Sequence, residues 1–248
     1  MTIRYDACVL AGGLARRLDG RDKPGLRVSG RPLVESVAAA VSSAERLVIV
    51  GPSRPGLPRA VFRREDPPGG GPVPALRAGL AEMTAPWTAL LAADLPFLTA
   101  GHVTALLEAA AGRPGTEEPE GRGARERSAG EPGAGEAVRE PAPGRSSAAG
   151  AVLLDDEGRE QWLAGVWRTE SLARALARYE GRSLRGLLAP LSPITLHLPG
   201  RPWFDCDTMD DLQRARATEP GSDGEDANPS RAPRERHPHG TATPADEE

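Results

Sequence analysis

The stretch Ala7-Cys8-Val9-Leu10-Ala11-Gly12-Gly13-Leu14-Ala15-Arg16-Arg17-Leu18 decides how this chain is read. An apolar run of strand length empties into a Gly pair, and basic residues follow. Glycine reaches backbone angles closed to other residues, so Gly12 and Gly13 let main-chain N–H groups approach a ligand closely. Arg16, Arg17 and, a little later, Lys23 bring positive charge beside those amides. The combination points to a loop that wraps the phosphate chain of a nucleoside triphosphate. A strand followed by Gly-Gly also occurs in α/β proteins without a phosphate ligand, and the basic residues are what shift the balance. The glycine spacing fits neither the Walker pattern nor G-x-G-x-x-G, which argues against a P-loop kinase and a dehydrogenase.

Outward from this loop the chain alternates. Strands are expected at Asp6–Leu10, Arg46–Gly51, Val61–Arg64, Trp87–Ala92, Gly150–Leu154, Gln161–Trp167 and Ile194–Leu198. Helices are expected at Pro32–Ser43, Val73–Glu82, Thr99–Ala111, Glu170–Tyr179, Leu184–Leu188 and Asp207–Ala217, with Thr99 placed to cap its helix. The loop Glu65-Asp66-Pro67-Pro68-Gly69-Gly70-Gly71-Pro72 stands between two of them. Strands alternating with helices of this size imply βαβ units and a mostly parallel sheet covered on both faces. Ligands of such sheets bind beyond the carboxyl ends of the strands. Gly12, Gly51 and Asp94 each follow a predicted strand and so fall on that edge.

Composition bounds the folded part. Residues 112–149 are almost entirely Gly, Pro, Glu, Arg, Ala and Ser, and residues 218–248 resemble them. Neither segment has the apolar content to offset the entropy of ordering, so both are expected to be disordered. One domain spanning 1–217 then remains, with roughly 180 residues outside the insert, enough for a substantial core. The net charge of −4 is carried by the tail, which has eight acidic residues and three arginines. The remainder has no basic stripe of the nucleic-acid-binding kind. The run into the first strand leaves no signal peptide, and no apolar run approaches membrane length. Cys8 and Cys206 read as reduced structural thiols. A cytoplasmic protein with no nucleic-acid or membrane partner is expected, acting as a monomer or weak homo-oligomer.

The chemistry rests on few residues. Asp94 follows the apolar run Ala89-Leu90-Leu91-Ala92-Ala93, and a carboxylate at the tip of a buried strand is costly unless paired or bound to metal. Mg²⁺ favours carboxylate and phosphate oxygens, which makes Asp94 the first metal-ligand candidate; a cap for the next helix is the alternative. Asp207 is either a second ligand or an N-cap, and Asp205 is a lesser candidate. Lys23 could reach the phosphates across the glycine loop, or be an ordinary surface lysine. Asp66 could accept hydrogen bonds from a base edge, or simply shape a turn. No Ser-His-Asp set and no zinc spacing can be assembled.

Taken in order, Leu10-Ala11-Gly12-Gly13, Arg17-Leu18, Asp22-Lys23-Pro24, Glu65-Asp66 before Gly71-Pro72, Ala93-Asp94-Leu95-Pro96-Phe97 and Asp205-Cys206-Asp207-Thr208 resemble the MobA-like nucleotidyltransferases, and within them the molybdenum cofactor guanylyltransferases. The resemblance spans nearly the whole predicted domain. It implies a Rossmann-like three-layer α/β/α sandwich of the nucleotide-diphospho-sugar transferase type. It further implies Mg²⁺-dependent transfer of GMP from GTP to a phosphorylated acceptor, molybdopterin or molybdenum cofactor, with pyrophosphate leaving. Leu10, Ala11, Gly12 and Gly13 would then contact the nucleotide. Arg17 and Lys23 would hold its phosphates, Asp66 would help read guanine, and Asp94, assisted by Asp207, would carry Mg²⁺.

Three departures stand out. Gly51 occupies a base-contacting position where these enzymes carry Asn, Trp162 stands where Pro is usual, and the 112–149 insert replaces a shorter connection. Base preference is therefore open. So are a cytidylyl or sugar-phosphate nucleotidyltransferase and a non-catalytic nucleotide-binding accessory protein.

Overall fold

The computed structural model describes residues 2–12, 22–112 and 148–218. The Gly13–Arg21 part of the glycine loop, most of the insert and nearly all of the tail lie outside the described residues, and with them the candidates Gly13, Arg16 and Arg17.

The chain runs β1 (Tyr5–Leu10), β2 (Arg27–Val28), β3 (Arg31–Pro32), α1 (Leu33–Ala40), β4 (Leu47–Val50), β5 (Val61–Arg63), α2 (Pro72–Leu80), β6 (Trp87–Ala92), α3 (Ala100–Ala110), β7 (Gly150–Leu154), β8 (Glu160–Arg168), α4 (Thr169–Arg178), α5 (Leu184–Leu188), β9 (Ile194–Leu196) and α6 (Met209–Ala217). A seven-stranded sheet has the order β5-β4-β1-β6-β8-β7-β9. β1 pairs in parallel with β4 and β6, and β4 with β5. β8 alone runs against its neighbours β6 and β7, and β7 pairs in parallel with β9. β2 and β3 form a separate short hairpin that the sequence reading did not foresee.

β1 is buried along its whole length, as a central parallel strand covered on both faces must be. Its alternate residues feed two cores. Ala7 and Val9 pack with Val34 and Val37 of α1 and Val103 and Leu106 of α3. Cys8 and Leu10 pack on the other face with Leu76 of α2, Leu172 of α4 and Leu187 of α5. The three-layer α/β/α sandwich is thus present. The one polar residue of β1's interior, Asp6, is fully buried and accepts N–H bonds from Thr84 (2.6 Å) and Ala85 (2.8 Å). A third, smaller core joins Val28 of the hairpin and Leu33 of α1 to Phe204 and Cys206 and to Leu212 of α6.

Strand order turns at β1, because the chain passes to β4 on one side and later returns to β6 on the other. Crevices for ligands form at such a point, outside the carboxyl ends. Among the described residues, no helix is long and apolar enough to cross a membrane.

Candidate active site

The carboxyl ends of β1, β4 and β6 lie side by side, with Leu10 in register with Val50 and Ala92. Beyond them the Ala11 amide still donates to Val50 O (2.9 Å), and the Ala93 amide to Leu10 O (3.2 Å). Gly12 and Asp94 therefore emerge next to one another. The Cys206 amide donates to the Asp94 carbonyl (3.3 Å), which stitches the Asp205–Asp207 segment to the same edge.

Two ordinary explanations for these aspartates fall away. α3 is capped by Thr99, whose side chain accepts from the His102 amide while the His102 ring accepts from the Thr99 amide (3.1 Å), so Asp94 is not its cap. α6 is capped by Thr208, which accepts from the Asp211 amide (3.1 Å), with Asp211 reaching back to the Thr208 amide (2.7 Å), so Asp207 is not its cap either. Asp94 is only 8% exposed, and a carboxylate so buried needs a partner.

That partner is Lys23. Its ammonium contacts the Asp94 carboxylate and lies 2.5 Å from Asp207 Oδ1. Burial alone would lower the lysine's proton affinity, but Asp94 and Asp207 outweigh it and hold the group above the usual lysine range. Lys23 is the sole lysine of the 248-residue chain. Every other basic side chain that is not histidine is arginine, so the reading of Lys23 as an ordinary surface residue loses its footing, and a simple count carried that signal.

Asp94, Asp205 and Asp207 offer carboxylate oxygens that all lie within 4.8 Å of one another. Such a set of hard oxygens suits a divalent ion of the Mg²⁺ or Mn²⁺ kind, and Lys23 already shows that the site neutralises with a cation. Although part of Asp205 is exposed, its carboxyl is pushed up to about 6, first by desolvation and then by the charges of Asp207 and Asp94. Cys206 between them is fully buried, and burial pushes its thiol up to about 12, as it does that of Cys8. Both are inert thiols rather than nucleophiles.

A cavity of about 850 Å³ opens over this cluster. Leu10, Ala11, Gly12, Lys23, Asp94 and Asp207, all named from sequence, line it together. Gly51 and Asp66 are not brought to its wall. Gly51 sits buried behind Ala11, and a Cβ there would lie 2.9 Å from the Ala11 carbonyl oxygen. Asp66 is exposed at the cis bond to Pro67, whereas its neighbour Glu65 lines the cavity and accepts from the Gly69 amide (3.0 Å).

The far wall was missed. Glu160, Gln161, Trp162, Leu163 and Ala164 line the cavity consecutively, with Trp203 nearby. A regular strand would turn every second residue away. Here the pairing with β7 jumps, since Val152 faces Gly165 but Leu153 faces Gln161, so β8 bulges where it passes the site. Trp162 is backed by Trp167 at 6.5 Å between ring centroids, with the planes 23° apart.

Known proteins resemble this chain in sequence and in fold. The family described as MobA-like NTP transferase domain matches residues 7–194. A Deinococcus radiodurans protein named as a probable molybdenum cofactor guanylyltransferase is 37% identical over 110 residues, covering 44% of this chain and 55% of its own length. A Haloferax mediterranei protein of the same name is 32% identical over 107 residues, covering 40% and 51%. The chain thus spans about half the length of these relatives. In fold it is similar to molybdopterin-guanine dinucleotide biosynthesis protein A from Archaeoglobus fulgidus (TM-score 0.55, 18% identity, 86% of this chain and 97% of that one). It is equally similar to 2-C-methyl-D-erythritol 4-phosphate cytidylyltransferase from Thermus thermophilus (TM-score 0.55, 18% identity, 87% and 98%).

Proposed function

The chain belongs to the MobA-like NTP transferase domain family, and from that premise we propose that it transfers a nucleoside monophosphate, GMP from GTP, onto the phosphate of molybdopterin or molybdenum cofactor. The observation that carries this reading is the Lys23 ammonium held between Asp94 and Asp207 at the sheet's carboxyl edge. In the reaction an acceptor phosphate oxygen attacks the α-phosphorus, the bond from that phosphorus to the bridging oxygen breaks, and pyrophosphate leaves. The acceptor is itself the nucleophile, so the protein needs no covalent residue, only positioning and charge neutralisation.

The backbone of Leu10, Ala11 and Gly12 cradles the nucleotide, together with Gly13 and Arg17 of the same loop. Lys23 turns from the carboxylates to the phosphates as the nucleotide enters. A Mg²⁺ ion held by Asp94 with Asp207 and Asp205 would neutralise charge at the reacting phosphate. The bulged wall with Trp162 and Trp203 borders the acceptor. Two buried thiols suit a reducing compartment, and we place the reaction in the cytoplasm.

A second base preference has a specific observation behind it. Gly51 has neither a side chain nor room for one, so an amide side chain cannot select guanine there. We keep GTP as the leading donor and CTP as the competitor. The test is turnover of each triphosphate with Mg²⁺ and molybdenum cofactor. Incorporation from GTP supports the reading, turnover with CTP alone moves the chain to cytidylyl transfer, and no turnover with any triphosphate overturns it.

A further inference from the structure

The residue before Lys23 is held by a part of the chain that no motif singles out. Arg54 lies in the loop after β4, and its side chain is 15% exposed. Its Nη1 donates to Asp22 Oδ2 at 2.6 Å and its Nη2 to Asp22 Oδ1 at 2.5 Å. This is the two-pronged pairing in which guanidinium geometry matches a carboxylate, and it fixes direction as well as distance. The bond from Arg54 holds the Asp22 carboxyl below the usual aspartate range.

Asp22 leads directly into the one-turn 3-10 helix Lys23–Gly25, which has no side-chain cap. Three residues of 3-10 helix do not hold themselves in place. The turn is closed by the Gly25 amide on Asp22 O (3.0 Å) and the Leu26 amide on Lys23 O (3.1 Å), and its far end is tied to α1 by the Leu33 amide on Leu26 O (2.9 Å). Its near end is tied through Asp22 to Arg54. Gly25 leaves the space this pair needs, since a Cβ there would press on the Asp22 carboxylate and come within 3.3 Å of Arg54 Nη1. From this turn the Lys23 side chain reaches Asp94 and Asp207.

We propose that Arg54 is a positioning residue for the transfer reaction: its grip on Asp22 sets the turn that delivers the Lys23 ammonium to Asp94 and Asp207. This rests on the nucleotidyl-transfer reading above. The grip lets the lysine side chain swing from carboxylate to phosphate while its backbone stays fixed. Displacement of a catalytic group by about an ångström costs on the order of 100-fold in rate.

The test uses the full chain with Arg54→Ala, Arg54→Lys and Asp22→Asn. Because Lys23 is the only lysine, an amine-specific acylating reagent at one pH labels that side chain and the N-terminus alone, and mass spectrometry separates the two. Arg54→Ala is expected to speed Lys23 labelling several-fold with N-terminal labelling unchanged. It should also lower kcat with GTP, Mg²⁺ and molybdenum cofactor by about 10- to 100-fold, with little change in KM for the acceptor. Arg54→Lys, a point charge without the fork, adds a second labelling site that peptide mapping resolves from Lys23, and its Lys23 labelling and kcat should both fall between those of Arg54→Ala and wild type. If Arg54→Ala does not fold, Asp22→Asn at the exposed end of the pair reports the same two quantities. Wild-type labelling and wild-type kcat in a folded variant overturn the proposal. Faster Lys23 labelling in a protein whose wild type transfers nothing keeps the clamp and sinks the transfer reading.

Discussion

The two walls of the cavity are built on opposite principles. On the β1 side the cavity is lined by the end of a buried parallel strand and the two residues after it, Leu10, Ala11 and Gly12, and Gly51 is packed behind Ala11 so closely that no side chain fits. On the β8 side it presents side chains, from a strand that runs antiparallel and bulges so that successive residues face the cavity. Asp94 and Lys23 stand between them. Phosphates are the same in every triphosphate, and main-chain amides suffice to hold them. An acceptor has a shape of its own, and only side chains adapt to that. The difference bears on where variation is tolerated: the packing behind Ala11 leaves no room for a side chain at Gly51, whereas the β8 wall is made of side chains that substitution can change.

Substitutions separate the two walls. The largest effect is expected between them: Lys23→Ala should lower kcat by about 100- to 1000-fold, the scale of removing a preorganised charge from a reacting centre, in steady-state assays with GTP and Mg²⁺. An unchanged kcat would break the comparison at its hinge. Trp162→Ala should raise KM for the acceptor about 10-fold, the worth of one aromatic stacking surface, and leave KM for GTP alone. Equal effects on both substrates would mean that the walls do not divide the work.

Gly51→Ala should cost about 1–3 kcal/mol in denaturant unfolding, because the new methyl meets Ala11. A neutral result would show that the packing behind Ala11 yields. The smallest effect concerns the turn that launches β8. Asp155 is 2% exposed and accepts from the Glu157 amide (3.0 Å), the Arg159 amide (2.9 Å), Arg159 Nε (2.8 Å) and Gln161 Nε2 (2.9 Å). Burial works to raise its carboxyl's affinity for a proton, but these bonds outweigh it and hold the group below the usual aspartate range. Its contribution is therefore complete above about pH 4 and fades as acid protonates it. Asp155→Asn should be less stable than wild type at neutral pH, by about 1 kcal/mol, and the gap between the two melting curves should shrink as acid protonates the carboxylate.

Much of the backbone wall was legible. Apolar runs bounded by Gly and Pro marked β1, β4 and β6, and parallel strands covered on both faces follow from their continuity. Asp94 announced itself as a charge at the end of such a run. The side-chain wall was not legible, because a run such as Gln161–Trp167 carries neither its direction nor its bulge. Both depend on partners far away in sequence. The hairpin β2–β3 escaped for a similar reason: two-residue strands have no period to read. Local chemistry also left Asp207 ambiguous between cap and ligand, until Thr208 was seen to cap α6. Asp66 is the base-reading candidate in the sequence, but of these two neighbours only Glu65 lines the cavity.

The central claim is that Lys23, Asp94 and Asp207 form the working centre of a nucleotidyl transfer. The most direct measurement gives wild type and Asp94→Ala the same α-labelled GTP, Mg²⁺ and molybdenum cofactor, and follows label and pyrophosphate together. The account predicts labelled cofactor with an equal amount of pyrophosphate from wild type, and neither from a folded Asp94→Ala protein. Equal product from both proteins would contradict it.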